Sequence, residues 1–213
     1  PTTVIVQQRL LDGDGKIVKA EGKEVMARTT LKLDKEKTAE VVQNLLVSHP
    51  KLWDLDFPYR YTVETIIKKG GKTIDKYLTP FGIRSVKFDK DKGFFLNNKH
   101  LKLKGMCLHQ DAGCLGTAVP DRAYERRLLI LKEFGTNAIR CSHNPPSPEF
   151  LNYCDSIGFL VIDEAFDKWK SGYYEEFFDS SWQQDISDMV IRDRNHPSVI
   201  LWSIGNELAE AKL

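Results

Sequence analysis

Between Leu103 and Ile204, short apolar runs alternate with longer stretches whose apolar residues recur every three or four positions. That alternation constrains the fold more than any other feature of the chain. The short runs are Leu103 to Leu108, Asn137 to Cys141, Phe159-Leu160-Val161-Ile162 and Val199 to Ile204. Asp121 opens a helical stretch with Tyr124, Leu128, Leu131 and Phe134 on one face and Gly135 as its stop. Ser147-Pro148 supplies an N-cap and a first-turn proline to a second helix, with Phe150, Leu151, Cys154 and Ile157 as its stripe and Gly158 as its end. Trp182, Ile186, Met189 and Val190 mark a third, stopped by His196-Pro197. Unbroken apolar strands between amphipathic helices predict parallel strands covered on both faces.

A doubly wound sheet and a (β/α)8 barrel both fit that order. A nucleotide-binding doubly wound sheet carries a glycine-rich turn after its first strand. Here that turn reads His109-Gln110-Asp111-Ala112-Gly113, with no phosphate-cradling loop. Ionisable and polar residues instead follow every strand: His109 and Asp111, Arg140 and His143, Asp163 and Glu164, Asn206 and Glu207. The carboxyl ends of successive strands are where a barrel keeps its site, so the pattern predicts a TIM barrel. His100 to Leu213 is less than half of the about 250 residues a complete barrel takes. The expectation is therefore the first half of a barrel, whose unpaired outer strands would favour self-association.

Residues 1–88 have a different character. Thr3-Val4-Ile5-Val6, Val25 to Leu31, Ala39 to Val47, Tyr59 to Ile66 and Thr73 to Thr79 read as short strands, with turn signals at Asp12-Gly13-Asp14-Gly15 and Gly70-Gly71. They predict an immunoglobulin-like β-sandwich, with a small barrel as the alternative. The polar run Asp89-Lys90-Asp91-Lys92-Gly93 is the expected boundary, giving a β domain over 1–88 and a half barrel over 89–213. With 31 basic against 30 acidic residues the chain has no electrostatic footprint for nucleic acid. It has no apolar stretch long enough to span a membrane. It opens at Pro1 without an initiator Met or an apolar leader, as expected of a piece of a longer or processed chain. Cys107, Cys114, Cys141 and Cys154 fit no zinc or redox spacing and read as free thiols, three of them in apolar or helical patterns that favour burial.

The run Arg192-Asp193-Arg194-Asn195-His196-Pro197-Ser198-Val199-Ile200-Leu201-Trp202-Ser203-Ile204-Gly205-Asn206-Glu207 resembles the acid/base signature of glycoside hydrolase family 2. Asn137-Ala138-Ile139-Arg140-Cys141-Ser142-His143-Asn144-Pro145-Pro146 is similar to the family's second-strand motif. Phe81-Gly82-Ile83-Arg84, Lys104-Gly105-Met106 and Pro50-Lys51-Leu52-Trp53 resemble segments around its sandwich-to-barrel junction. The resemblance is greatest to bacterial β-galactosidase-type members. It implies a retaining exo-β-glycosidase acting on terminal β-linked sugars, with β-glucuronidase and β-mannosidase as alternatives within the family.

The resemblance makes Glu207 the general acid/base and gives Asn206 a hydrogen bond to the sugar's 2-hydroxyl. It makes His109 and His143 partners of sugar hydroxyls and Arg140 the group that orients the nucleophilic carboxylate. Bottom-up, Arg140 reads equally as one end of an ion pair with Asp163 or Glu164. Asp163 is a candidate for lining the pocket, whereas Glu164 reads rather as a structural tie. Gln110 stands where many relatives carry a second His or a Glu. Some members bind Mg²⁺ after the third strand; here that stretch is Phe166-Asp167-Lys168-Trp169-Lys170, and a charged lysine is no ligand for a hard cation. No metal and no cofactor is expected. Trp169 reads evenly as a sugar-stacking ring or as packing. The nucleophile's motif is not found, so this stretch alone is expected to lack turnover. The reading from another class is a non-enzymatic carbohydrate-binding or scaffold fragment. The expected partner is a β-glycoside, with neither nucleic acid nor membrane, and relatives of this type are often exported to the periplasm or beyond.

Overall fold

The computed structural model describes residues 1–208. They form two compact units, one comprising Pro1–Leu52 and Tyr59–Ile83, the other Trp53–Pro58 and Arg84 onward. Among the described residues no helix is long and apolar enough to cross a membrane.

The first unit is all β. Its strands are β1 (Thr2–Leu11), β2 (Lys19–Ala20), β3 (Lys23–Glu24), β4 (Met26–Leu33), β5 (Tyr61–Lys69) and β6 (Lys72–Phe81). Four of them make an open antiparallel sheet in the order β4-β1-β5-β6, which settles the sandwich over the small barrel. One face carries Leu10, Val63, Tyr61 and Phe81 against Val18, Val25, Leu45 and Val47. Successive strand residues point to opposite faces, and the other face mixes apolar residues such as Ile66 with a buried charge cluster. There Glu64 is buried between the Arg9 guanidinium and Lys76 Nζ, the latter at 2.6 Å. The stretch expected as a strand over 39–47 is extended but unpaired. Gln43, Leu45 and Val47 turn inward while Val42 and Leu46 face solvent. A side chain does the ladder's work: Gln43 Nε2 donates to Val6 O at 3.1 Å and to Thr29 Oγ1 at 2.8 Å.

The second unit opens with a small antiparallel sheet, β7 (Val86–Asp89), β8 (Gly93–Leu96) and β9 (Lys99–His100). The polar run Asp89–Gly93 is the turn joining β7 to β8. Then come β10 (Gly105–His109), α1 (Asp121–Glu133), β11 (Ala138–Ser142), α2 (Pro148–Ile157), β12 (Leu160–Glu164), α3 (Glu175–Asp193) and β13 (Val199–Ser203). The four strands pair in parallel in sequence order, the first half of a (β/α)8 barrel.

The helices take their ends from the residues that predicted them. Ser147 Oγ accepts from Phe150 N at 3.3 Å and Pro148 occupies the first turn of α2. Gly158 closes α2 in the left-handed region, at φ +85°. Phe134 departs from expectation: it lies past the last turn of α1 and is 84% exposed. Tyr124 and Leu128 alone of that stripe are fully buried.

The sheet is covered on both faces, as parallel strands require. Tyr124, Leu128, Phe150, Leu151 and Cys154 pack with Ile139, Cys141 and Val161 on the helix side. On the other side Trp53, Leu55, Phe94 and Leu96 pack with Ala138 and Leu160. The Trp53 indole donates to Asp155 O at 2.8 Å, which pins Trp53 to the end of α2. All four cysteines are free; Cys141 and Cys154 are buried, Cys107 and Cys114 exposed, so burial reaches two of the three expected.

Candidate active site

Because side chains alternate along a strand, Arg140 on β11 and Glu164 at the end of β12 face the same interior as Ala138 and Leu160. Glu164 is 1% exposed and is surrounded by donors. Arg140 Nε donates to Oε2 at 3.0 Å and Nη2 to Oε1 at 2.9 Å, a two-point clamp. His143 Nδ1 lies 2.7 Å from Oε1, and Ser203 Oγ donates to Oε2 at 2.8 Å. Arg140 Nη2 stands 3.2 Å from the same ring nitrogen, and a proton on Nδ1 would serve the closer Glu164 carboxylate. The hydrogen bond to Glu164 is also the main reason the Arg140 guanidinium is held above its usual range. Of the two ion-pair partners open to Arg140 in the sequence, the structure selects Glu164.

Asn206, after β13, is fixed on three sides. Its Oδ1 accepts from Arg140 Nη2 at 3.0 Å, its Nδ2 donates to Asp167 Oδ1 at 2.9 Å, and its backbone N–H donates to Asp167 O at 2.9 Å. That amide is the first cause of the lowered Asp167 pKa, ahead of Lys168. Glu207 follows at φ +49° with its carboxylate 70% exposed. Lys168 Nζ stands 3.1 Å from Glu207 and 3.2 Å from Asp167, a cation between two acids. The Lys168 ammonium is held above its usual range, chiefly by Glu207. His109, at the end of β10, meets the His143 ring edge to face at 5.2 Å. Beside this network a cavity of about 900 Å³ is lined by Pro145, Phe166, Lys168, Tyr174 and Met189 among others.

Five of the six sequence-derived candidates, His109, Arg140, His143, Asn206 and Glu207, thus lie at the strand ends. Asp163 does not join them: it is fully buried on the helix side of β12, facing Asp193 of α3. Burial first, and Asp193 second, push its carboxyl up to about 8. Trp169 is engaged in packing, its indole donating to Ile204 O at 2.8 Å and its ring stacked on Phe178 at 5.3 Å. Ser203 escaped the sequence reading because a bulge decides its neighbour. The β12–β13 register slips between Val161 and Ile162, so Glu164 faces Ser203 instead of Trp202. Lys168 was legible as a cation in the third-strand stretch, but its contact with Glu207 depends on where two loops meet. Among the described residues no group of three or more His, Cys, Asp or Glu side chains is placed to hold a metal ion.

With this geometry in hand, the comparisons with known proteins are specific. The model for the TIM barrel domain of glycosyl hydrolases family 2 matches residues 86–212, and the family's other model, glycosyl hydrolases family 2, matches residues 1–84. A β-galactosidase of Bacteroides ovatus is 51% identical over 90% of this chain and 23% of its own length. A β-glucuronidase of Bacteroides fragilis is 31% identical over 97% of this chain and 31% of its own length. The crystal structure of a glycosyl hydrolase family 2 member from Bacteroides cellulosilyticus superposes with a TM-score of 0.88 at 45% identity, over 97% of this chain and 26% of that one. The chain thus spans about a quarter of the length of these relatives.

Proposed function

The chain belongs to glycosyl hydrolase family 2, and on that premise we propose that it supplies the acid/base half of a retaining exo-β-glycosidase whose substrates are terminal β-galactosides. The observation that carries this reading is Asn206 at the end of β13, anchored through Arg140, Glu164 and Asp167, with Glu207 beside it on Lys168. Cleaving a glycosidic bond requires one carboxyl group to protonate the leaving oxygen and, for retention, a second about 5–5.5 Å away as nucleophile. Glu207 is assigned the acid role by its place in the family's motif; it is the more exposed of the two carboxylates beside Lys168, at 70% against 55% for Asp167, and Lys168 is its ion-pair partner. Glu164 is buried under four hydrogen bonds and Asp167 is taken by Asn206 and Lys168. Both belong to the network around Asn206, and the family resemblance assigns the nucleophile to the remainder of the whole protein.

Asn206, with its amide plane fixed by Arg140 and Asp167, presents a remaining N–H to a sugar hydroxyl. His143 offers Nε2 and His109 its exposed ring to further hydroxyls. The choice of galactose rests on the 51% identity to a β-galactosidase; glucuronides and mannosides are the alternatives to be separated.

The test uses the whole protein that contains this chain, assayed on nitrophenyl β-galactoside, β-glucuronide and β-mannoside. Glu207→Gln is expected to lower kcat by about 10²–10⁴ on glycosides with poor leaving groups. On the nitrophenyl substrates, whose leaving group needs little proton assistance, the loss is smaller. Equal losses on both classes, or none, would remove Glu207 from the acid role. Turnover of the glucuronide alone would reassign the sugar.

A further inference from the structure

Asp163 of β12 and Asp193 of α3 are both completely buried, and after burial itself it is Asp193 that acts most on the Asp163 carboxyl. Asp193 is provided for: Arg192 donates to it through Nε at 2.7 Å and through Nη2 at 2.6 Å. Asp163 is not. Neither of its carboxyl oxygens receives a hydrogen bond from any donor among the described residues.

The ionisable groups around the pair come from three other elements. From α3 come Asp193 and Arg192, and the guanidinium of Arg192 is committed to Asp193 and to Pro146 O at 2.7 Å. From β11 comes the buried Cys141 thiol, itself pushed up by burial and then by Asp163. From α2, Glu149 acts on Arg192. Glu164, next along β12, is already neutralised by Arg140. Two carboxyls therefore share a dry site with one guanidinium, and one negative charge is left over.

We propose that Asp163 stands as a neutral carboxylic acid whose O–H donates to the Asp193 carboxylate. This shared proton ties the helix-facing side of β12 to α3 and makes Asp163 a positioning residue for Glu164. The arrangement gives one of the two orphaned oxygens a partner, removes the surplus charge and leaves the Arg192 clamp intact. Its effect at the site runs along the strand: fixing the backbone at 163 fixes the direction of Glu164, and with it the seat of Arg140, His143 and Ser203.

The sign of the pH dependence follows. An unfolded aspartate releases its proton near 3.8, while the folded one keeps it to about 8. The unfolded state then binds fewer protons over that window, so stability falls as pH rises through it and is level above and below.

Three measurements on the whole protein that contains this chain test the proposal. In carboxyl-labelled wild-type protein, the Asp163 carbon should titrate near pH 8; titration near pH 4 overturns the idea. In urea unfolding, Asp163→Asn keeps a donor toward Asp193 but has no proton to lose. The folding constant of Asp163→Asn relative to wild type should rise about tenfold for each pH unit between 5 and 7. A ratio independent of pH overturns the shared proton. Positioning is read separately, from the His143 ring N–H resonance that reports its bond to Glu164. Asp163→Asn should preserve that signal and Asp163→Ala should shift or abolish it; an unmoved signal in the Ala variant overturns the positioning role. If the Ala variant fails to fold, the wild-type titration and the Asn variant still decide.

Discussion

Gly158 invites a substitution whose cost can be worked out beforehand. It closes α2 at φ +85°, and a Cβ placed on it would run into Leu55 O and lie 2.9 Å from Leu55 C. Gly135 closes α1 in the same backbone region, at φ +78°, with nothing within 4 Å of the added carbon. Ala at either position meets the left-handed penalty, about 1–2 kcal/mol. Only at Gly158 must the Leu55 backbone also retreat. Leu55 O accepts from Lys132 Nζ at 3.0 Å, a bond to a charged donor of the kind worth about 1.5–3 kcal/mol. Gly158→Ala should therefore cost about 2.5–5 kcal/mol and Gly135→Ala about 1–2 kcal/mol, the difference being the close approach. Tryptophan fluorescence in urea is the assay, because Trp53, Trp169, Trp182 and Trp202 all belong to the second unit and report on it alone. If the two variants agree within about 0.5 kcal/mol, the additive reasoning from a close contact fails.

Two further perturbations probe the buried carboxylates. Glu64 is held below the usual carboxylate range, first by its hydrogen bond from Arg9. Its contribution is thus present above the unfolded value near 4.5 and lost as pH falls through the lower folded one. Glu64→Gln should cost about 2 kcal/mol at pH 7 and almost nothing in strong acid, read from amide exchange in β1 and β5; a cost that persists in acid would contradict the ion-pair account. Glu164→Gln strands the Arg140 guanidinium and should cost about 3–5 kcal/mol, with loss of the His143 ring N–H signal. A cost below about 1 kcal/mol would mean that Arg140 finds water or another partner.

The sequence carried the architecture of the second unit well because hydrophobic period and capping agree there. Ser147-Pro148 and Gly158 bracket α2 in the structure as the residue types require. Agreement fails where periodicity fades: α3 begins at Glu175, well before Trp182, because its first turns are polar and aromatic without a clear stripe. The stretch over 39–47 shows the converse. Its alternation is real, but pairing depends on a neighbouring strand that sequence does not reveal. At the site, the residues following each strand were legible, whereas their facing was not. Asp163 and Glu164 are adjacent acids on one strand, and one peptide decides which looks toward Arg140 and which toward Asp193. The bulge beside Ile162 then decides that Glu164 meets a serine and not an indole.

Trp53, fully buried and hydrogen-bonded to Asp155, belongs to the second unit although the chain reaches it from Leu52 and returns to the first unit at Tyr59. The two units are therefore not exchangeable cassettes. A recombinant that swaps everything before residue 84 between relatives carries away the indole that fills the hollow lined by Phe94, Leu96, Ala138 and Leu160. Chimeras joined there inherit a foreign base for their own strands, because Trp53 and Leu55 pack with β8, β11 and β12. Separate inheritance of the two units is limited by a loop that lies within one in sequence and within the other in space.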